Sequence, residues 1–283
     1  MITRLDHFVL ICPDIEAGIA AYTTLLGAPP VWQAVDADMG SASALFKVDN
    51  TALELMAPKG EGAVGARLTE MLAESGPTLT SLAYEVADAG MAHHAFGRRG
   101  LTPSDISDGA STDVTTGARR TWKRFRCADA ACGGVKTFVL QHTEGALPER
   151  KPVKGAAVSL DHLVINTPNP DRAAALYGAR LGLRFALDRT AEQWKTRFLF
   201  FRLGGLTLEV IHRLGETHDA NAPDNIWGLT WAVADLEVTH ERLAGAGLTV
   251  SDIRKGRKPG SSVFTVKSGT LDIPTLFIAH EEA

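Results

Sequence analysis

Cysteine is scarce in this chain: Cys12, Cys127 and Cys132 are the only three in 283 residues. They make no even disulfide framework and no zinc motif, which points to a reducing, cytoplasmic setting. Cys127 and Cys132 flank a turn and can approach each other. Long apolar runs are also missing, and none nears the ~18 residues of a spanning helix. The first apolar stretch, Phe8 to Cys12, is short and bracketed by Asp6, His7 and Asp14, so no signal peptide is expected there. No large charge excess exists either: 33 acidic against 29 basic residues leave a net charge of −4. That balance gives no reason to expect a nucleic-acid or membrane partner. A nucleotide-binding glycine fingerprint and a nucleophile elbow are both lacking.

What is present is an ordinary globular composition, 45% hydrophobic and 22% charged, on a chain long enough for two domains. It also carries a repeat. LDHFVLICPD at 5–14 recurs as LDHLVINTPN at 160–169, a shift of 155 residues. Tyr22, Leu26-Gly27 and Leu53-Glu54 keep that shift with Tyr177, Leu181-Gly182 and Leu208-Glu209. A second pair of segments matches at a shift of 147: Leu82, Val86 and Asp88 map on Leu229, Val233 and Asp235, and GLTPSDI at 100–106 on GLTVSDI at 247–253. The chain therefore reads A-B-A′-B′. The charged linker Pro148 to Gly155 divides the halves, giving domains at 1–147 and 156–283.

Each quarter has one grammar. His7 to Ile11 is β-rich, and Pro13-Asp14 opens a helix in which Ile15, Ile19, Tyr22 and Leu26 recur at helical spacing until Gly27. Two or three short strands follow, the last at Ala52 to Met56. Quarter A′ repeats this with a helix from about Asp171 to Arg180. B and B′ follow with opening strands at Leu82–Val86 and Leu229–Val233. Strand, helix and three strands make a βαβββ unit. The class expected is α+β, with four modules (about 1–60, 76–145, 156–215 and 225–283) paired into two domains, their curled mixed sheets enclosing clefts. Clefts of this kind are natural sites for small molecules.

His7 and His162 each lie in a β-run, between apolar residues of the same parity (Leu5 and Val9; Leu160 and Val164). A single histidine there would be read as core. Glu54 and Glu209 sit inside the apolar strands LELM and LEVI, where an unpaired carboxylate is costly to bury and requires a partner. The His-to-Glu gap is 47 residues in both halves. That recurrence favours a site over a packing role.

LDHFVLICPD…LG…LELM and LDHLVINTPN…LG…LEVI resemble the first module of the vicinal oxygen chelate superfamily, which includes glyoxalase I, methylmalonyl-CoA epimerase and extradiol dioxygenases. In that superfamily an opening-strand histidine and a last-strand glutamate or glutamine are metal ligands. The resemblance implies His7 and Glu54, and His162 and Glu209, as ligands of a divalent ion, with Glu209 or Glu54 as the catalytic proton carrier. The donor types suit iron, manganese, cobalt, nickel or zinc. The implied function is a metal-dependent lyase, isomerase or oxygenase acting on a small oxygenated organic molecule through a chelated, enolate-like intermediate. A glyoxalase-like reaction is favoured over ring-cleaving dioxygenation, because B′ lacks the second histidine and terminal glutamate of the dioxygenases. The alternative is a metal-free small-molecule binding protein, like the bleomycin-resistance branch.

The B-type modules depart from the usual ligand pattern. Their opening-strand positions are Ser81 and Gly228, and their last-strand positions lie near Val139 and Phe277. Gln141 shares the parity of Val139 and is a candidate third ligand, whereas His142, His212 and His280 are expected past strand ends and turned away from the cleft. Pairing of A with A′ would pool all four ligands, but consecutive pairing of A with B is the simpler topology. The basic run Arg254 to Lys258, with Arg119 to Arg126 resembling it, could hold an anionic substrate group but is expected to be a solvated loop, and adjacent His93 and His94 on a helix cannot chelate together. Tyr84 and Trp231 either line the cleft or fill core. A small-molecule partner is expected, and a homodimer is left open.

Overall fold

A computed structural model describes residues 1–217 and 219–281. The first half builds β1 (Ile2–Ile11), α1 (Ile15–Leu26), β2 (Trp32–Asp36), β3 (Ser41–Lys47), β4 (Ala52–Pro58), α2 (Ala63–Ser75), β5 (Thr78–Val86), α3 (Ala89–Arg98), β6 (Ser107–Thr112), β7 (Arg119–Cys127) and β8 (Lys136–Glu144). The second half builds β9 (Ser159–Asn166), α4 (Pro170–Ala173) continuing as a π-helix at Ala174–Arg180, β10 (Arg184–Ala191), β11 (Thr196–Leu203), β12 (Leu206–Arg213), β13 (Asn225–Ala232), α5 (Leu236–Gly245), β14 (Arg254–Lys255), β15 (Ser261–Val266) and β16 (Thr275–His280). Capping chemistry starts the helices as the sequence dictates. Asp14, Asp88, Asn169 and Asp235 each accept a backbone N–H three residues on.

The strands form two eight-stranded mixed sheets, ordered β2-β3-β4-β1-β5-β8-β7-β6 and β10-β11-β12-β9-β13-β16-β15-β14. In each, the opening strand runs parallel to the last strand of its own module and antiparallel to the opening strand of the next. Module A thus pairs with B, and A′ with B′, in two α+β domains of paired βαβββ modules. Two features break the symmetry. Helix α2, between A and B, has no described counterpart between A′ and B′, and it packs Leu68 against Val9 and Ile11 on the concave face. The edges of the first sheet also meet. Trp32 Nε1 donates to Ser111 Oγ at 2.9 Å, Gln33 N to Asp113 at 2.8 Å, and Val114 N to the Gln33 carbonyl at 2.9 Å. This draws the first domain toward a closed barrel. Among the described residues no helix is long and apolar enough to cross a membrane.

The helix-bearing faces of both sheets share one core. Leu5, Phe8, Leu10, Tyr22 and Tyr84 of the first half belong to the same buried cluster as Leu160, Tyr177, Phe201, Trp231 and Phe277 of the second. Phe8 and Trp231 meet directly, with ring centroids 6.1 Å apart. Tyr84 and Trp231 are therefore core residues. With these faces joined, the concave faces turn away from each other, and His7–Glu54 and His162–Glu209 lie in separate clefts.

Two arginines tie the halves together at helix ends, where backbone carbonyls lack intrahelical partners. Arg180 donates to the carbonyls of Arg99 and Ala131, both at 2.9 Å, and of Gly100, just past the end of α3. Arg99 returns a bond to the Arg180 carbonyl. Arg242 on α5 donates to the carbonyls of Thr24 and Leu25 in the last turn of α1, and of Gly155 in the linker. Each guanidinium also places positive charge at the negative end of a helix dipole. Arg180→Ala and Arg242→Ala should each lower unfolding free energy by about 2 kcal/mol in urea titrations, with near-additive effects because they serve different helices. A loss below about 0.5 kcal/mol, the level of an ordinary surface change, would mean that the clamps are ornamental.

Candidate functional site

The geometry of each cleft starts from a β-bulge. On β1, Leu5 stands opposite Tyr84 but His7 stands opposite Ala83, so Asp6 is an extra residue without a partner. On β9 the same slip sets Leu160 opposite Trp231 and His162 opposite Thr230, leaving Asp161 extra. A bulge re-aims side chains at its position. It turns Leu5 and Leu160 into the helix-side core, so they do not share the face of His7 and His162 as strict alternation predicts. Val9 and Val164 do share it. The bulge also brings each aspartate beside the histidine that follows it.

In the first cleft Asp6 accepts from His7 Nδ1 at 2.7 Å and from His142 Nε2 at 2.7 Å, and His7 Nε2 lies 3.4 Å from Glu54 Oε2. In the second, Asp161 accepts from His162 Nδ1 at 2.8 Å and from His280 Nε2 at 2.7 Å, and His162 Nε2 lies 3.5 Å from Glu209 Oε2. Each cleft thus holds a line of four groups, His–Asp–His–Glu. His142 and His280 lie within β8 and β16 and face their aspartates, which corrects the expectation that they turn away. Gln141 is corrected as well. Val139 belongs to the helix-side core, so its neighbour of equal parity points the same way, and Gln141 Oε1 accepts from Ala89 N at the start of α3. Alternation was right; the face assigned to Val139 was not.

Burial alone would raise the pKa of Asp6, but hydrogen bonds from His142 and His7 overcome it and hold the carboxyl well below the ordinary range. Asp161 is held down in the same way by His162 and His280. Burial also opposes charge on His7, yet the Asp6 bond and nearby Glu54 outweigh it and raise its pKa. Burial raises the pKa of Glu209, against the opposing charges of His162 and Arg257. With both aspartates ionised, His7 and His162 donate through Nδ1. In a neutral ring Nε2 then presents a lone pair to a carboxylate oxygen. Two acceptors facing at 3.4–3.5 Å need a cation between them, either a proton or a metal ion. An imidazole nitrogen and a carboxylate oxygen bound to one ion, each at about 2.0–2.2 Å, sit about 3 Å apart, so each pair fits a divalent ion. The carboxylate behind the imidazole is the support such a ligand commonly has.

Among the described residues one other cluster has metal-like composition: Asp6, Glu85 and His142 place ligand atoms within 4.8 Å of one another. It already contains a cation, since Arg4 Nε lies 2.5 Å from Glu85 and its guanidinium 3.7 Å from Asp6. The basic runs are not wholly solvated. Arg120 lies over the Trp32 ring at 5.3 Å, and Arg257 over the Trp194 ring at 4.4 Å, each bringing positive charge toward the glutamate of its cleft. Phe198 and Phe200 stack at 6.0 Å beside Trp194 in the second cleft. Cys127 and Cys132 are buried free thiols in the helix-side core, and His93 bonds the Ser104 carbonyl at 3.0 Å. Asp6, Asp161, His142 and His280 were missed as site residues. Their signal was available: the aspartates belong to the repeated LDH, and His142 and His280 each stand three residues beyond the matched Val139 and Phe277.

Comparison with known proteins agrees with this geometry. A glyoxalase-like domain profile matches residues 5–159, and a glyoxalase/bleomycin resistance protein/dioxygenase superfamily profile matches 161–265. An ethylmalonyl-CoA/methylmalonyl-CoA epimerase from Cereibacter sphaeroides is 35% identical over 88 residues; the match spans 31% of this chain and 64% of the relative. A 4-hydroxymandelate synthase variant from Streptomyces coelicolor superposes with a TM-score of 0.71 at 13% identity, covering 100% of this chain and 94% of that one. A fusion of a xylose isomerase-like TIM barrel with a 4-hydroxyphenylpyruvate dioxygenase gives 0.64 at 12% identity, over 100% of this chain and 50% of the other. At such identities the likeness establishes the fold alone. The profile matches, the paired modules and the bulged His–Glu strands show that the chain belongs to the glyoxalase-like group of the vicinal oxygen chelate superfamily, with two such domains in tandem.

Proposed function

We propose that the chain is a metal-dependent vicinal oxygen chelate enzyme that moves a proton on a small oxygenated substrate in the second cleft. The observation that carries this reading is the pair of facing acceptors, His162 Nε2 and Glu209 Oε2, backed by Asp161 and set in an aromatic-lined cleft. His162 and Glu209 would hold a divalent ion, which supplies Lewis-acid stabilisation of negative charge on a substrate oxygen. Asp161 keeps the proton of His162 on Nδ1 and the ring in place. Glu209 would take a proton from carbon next to a carbonyl and return it. Phe198 and Phe200 exclude water from that exchange. His7 and Glu54 form the equivalent pair in the first cleft, where α2 packs on the same face. The epimerase relative, which by name acts on CoA thioesters, supports proton transfer as the reaction class. Free buried thiols support a reducing, cytoplasmic location.

One observation favours a second reading, a metal-free binding protein. Each cleft offers two metal donors from its A-type module, while Ser81 and Gly228 occupy the facing strands and His142 and His280 are engaged by aspartates.

Metal titration of untagged protein separates the readings. Manganese, cobalt or zinc should bind, with His162→Ala and Glu209→Gln each weakening the second site at least ~10-fold. Less than about a tenth of an equivalent of any transition metal after reconstitution would favour the metal-free reading.

The same variant has an acid–base signature. Because the folded protein keeps Glu209 protonated to higher pH than the unfolded chain does, burying it costs nothing at low pH. The cost grows as pH rises from the ordinary carboxylate range through the raised value, then stays constant. Metal-free Glu209→Gln should therefore match the wild type near pH 4 and exceed it by about 1 kcal/mol at pH 8 in thermal unfolding. Saturating metal should reverse that order. Absence of the reversal would remove Glu209 from the ligand set.

A further inference from the structure

We infer that the first domain contains a binding pocket for a small organic carboxylate, built around Arg120 on the flank of the first cleft, beside the His7–Glu54 pair. A cavity of about 260 Å³ opens beside Asp6 and His142, with Arg120, Lys47 and Arg4 in its wall. The key observation is the state of Arg120. Arg120 is 6% exposed, and although Asp6 and Glu54 act on its charge from nearby, among the described residues its side chain has neither a hydrogen bond nor an ion pair, and its Nε is enclosed without a partner. A guanidinium carries five donors, and burying it unpaired is among the costlier arrangements available to a protein. The Trp32 face at 5.3 Å offsets only part of that cost.

The surroundings show that the position is built. Arg120 is buried where the two sheet edges meet, against the Trp32 ring. The backbone of Gly145, with φ +73°, passes so close that an added Cβ would lie 2.4 Å from the Arg119 carbonyl and 3.0 Å from Arg120 Cγ. Leu147 then packs on Trp32, Leu45 and Ala52 and closes that side. The other cations sort themselves. Arg4 is engaged by Glu85 and Asp6, and Lys47 reaches only Glu149, a side chain 90% exposed and thus a weak hold. Arg120 and Lys47 therefore line the cavity, Arg120 with donors that no hydrogen bond satisfies and Lys47 held only by an exposed carboxylate. A planar carboxylate matches the guanidinium fork through two parallel N–H···O bonds, and Lys47 can serve a second acidic group. The volume suits a molecule of a few carbons, and the ionised Asp6 in the lining disfavours a third negative group nearby.

The test is calorimetric titration of the full chain, before and after passage over a metal-chelating resin, with malonate, succinate, malonamide and inorganic phosphate. A dicarboxylate should bind in both preparations, and malonamide should not. Binding that persists without metal separates this pocket from the proposed metal site, so either can fail alone. Arg120→Gln should weaken dicarboxylate binding at least ~10-fold, and Arg120→Lys by less, because it keeps charge but loses the fork. Lys47→Gln should weaken it several-fold, and Arg98→Gln, on the exposed end of α3, should not. Arg120→Met should unfold at a higher temperature than ligand-free wild type, the opposite of what a purely structural arginine would give. Should the Arg120 variants fail to fold, the Lys47 effect decides. No dicarboxylate binding at tens of millimolar, or binding indifferent to both residues, would overturn the pocket. Phosphate binding more tightly than either dicarboxylate would overturn the carboxylate assignment.

Discussion

A buried aspartate that accepts from two imidazoles governs both clefts. Because Asp6 and Asp161 stay ionised, the proton of each following histidine is fixed on Nδ1, and Nε2 is left facing a glutamate. The bulge makes this possible, since unbroken alternation would place neighbouring side chains on opposite faces of the sheet. The bonds from His142 and His280 connect the last strand of each domain to its first across one intervening strand, so the placement of those strands and the acid–base state are linked. Removing the aspartate would free the tautomer and unpair two histidines at once.

The halves share this line of groups but use it in different surroundings. In the first, α2 covers part of the concave face, the edges of the sheet meet, and the arginine beside the glutamate is buried over Trp32. In the second, β14 is only two residues long, and Arg257 stacks on a Trp194 that is 37% exposed. The two His–Glu pairs are similarly exposed, and what differs between the clefts is the groups around them.

Fold and class were legible because the repeat is written in residues that packing constrains: the LDH opening, the Leu-Gly helix ends and the Leu-Glu closing strand. The His–Glu pairs were legible because a carboxylate in an apolar strand demands a partner. The bulge was not, since one extra residue in a strand leaves no mark in a period-two pattern, and its omission put Leu5 on the wrong face. Gln141 and His142 were exchanged for a related reason. Parity orders residues along a strand but does not say which face is concave, and a wrong origin at Val139 inverted everything after it. Helix α2 lacked a repeat partner to announce it. The enclosure of Arg120 depends on contact between strands nearly ninety residues apart, which no local pattern encodes.

The arginine clamps have a consequence for biosynthesis. Both cap carbonyls belonging to the amino-terminal half, and both are supplied by the carboxy-terminal half. As the chain leaves the ribosome, α1 and α3 are made well before Arg180 and Arg242 exist, and the apolar surface around Phe8 waits for Trp231. The nascent first half therefore emerges with those carbonyls lacking their arginine partners and the flank around Phe8 uncovered until the second half has been made.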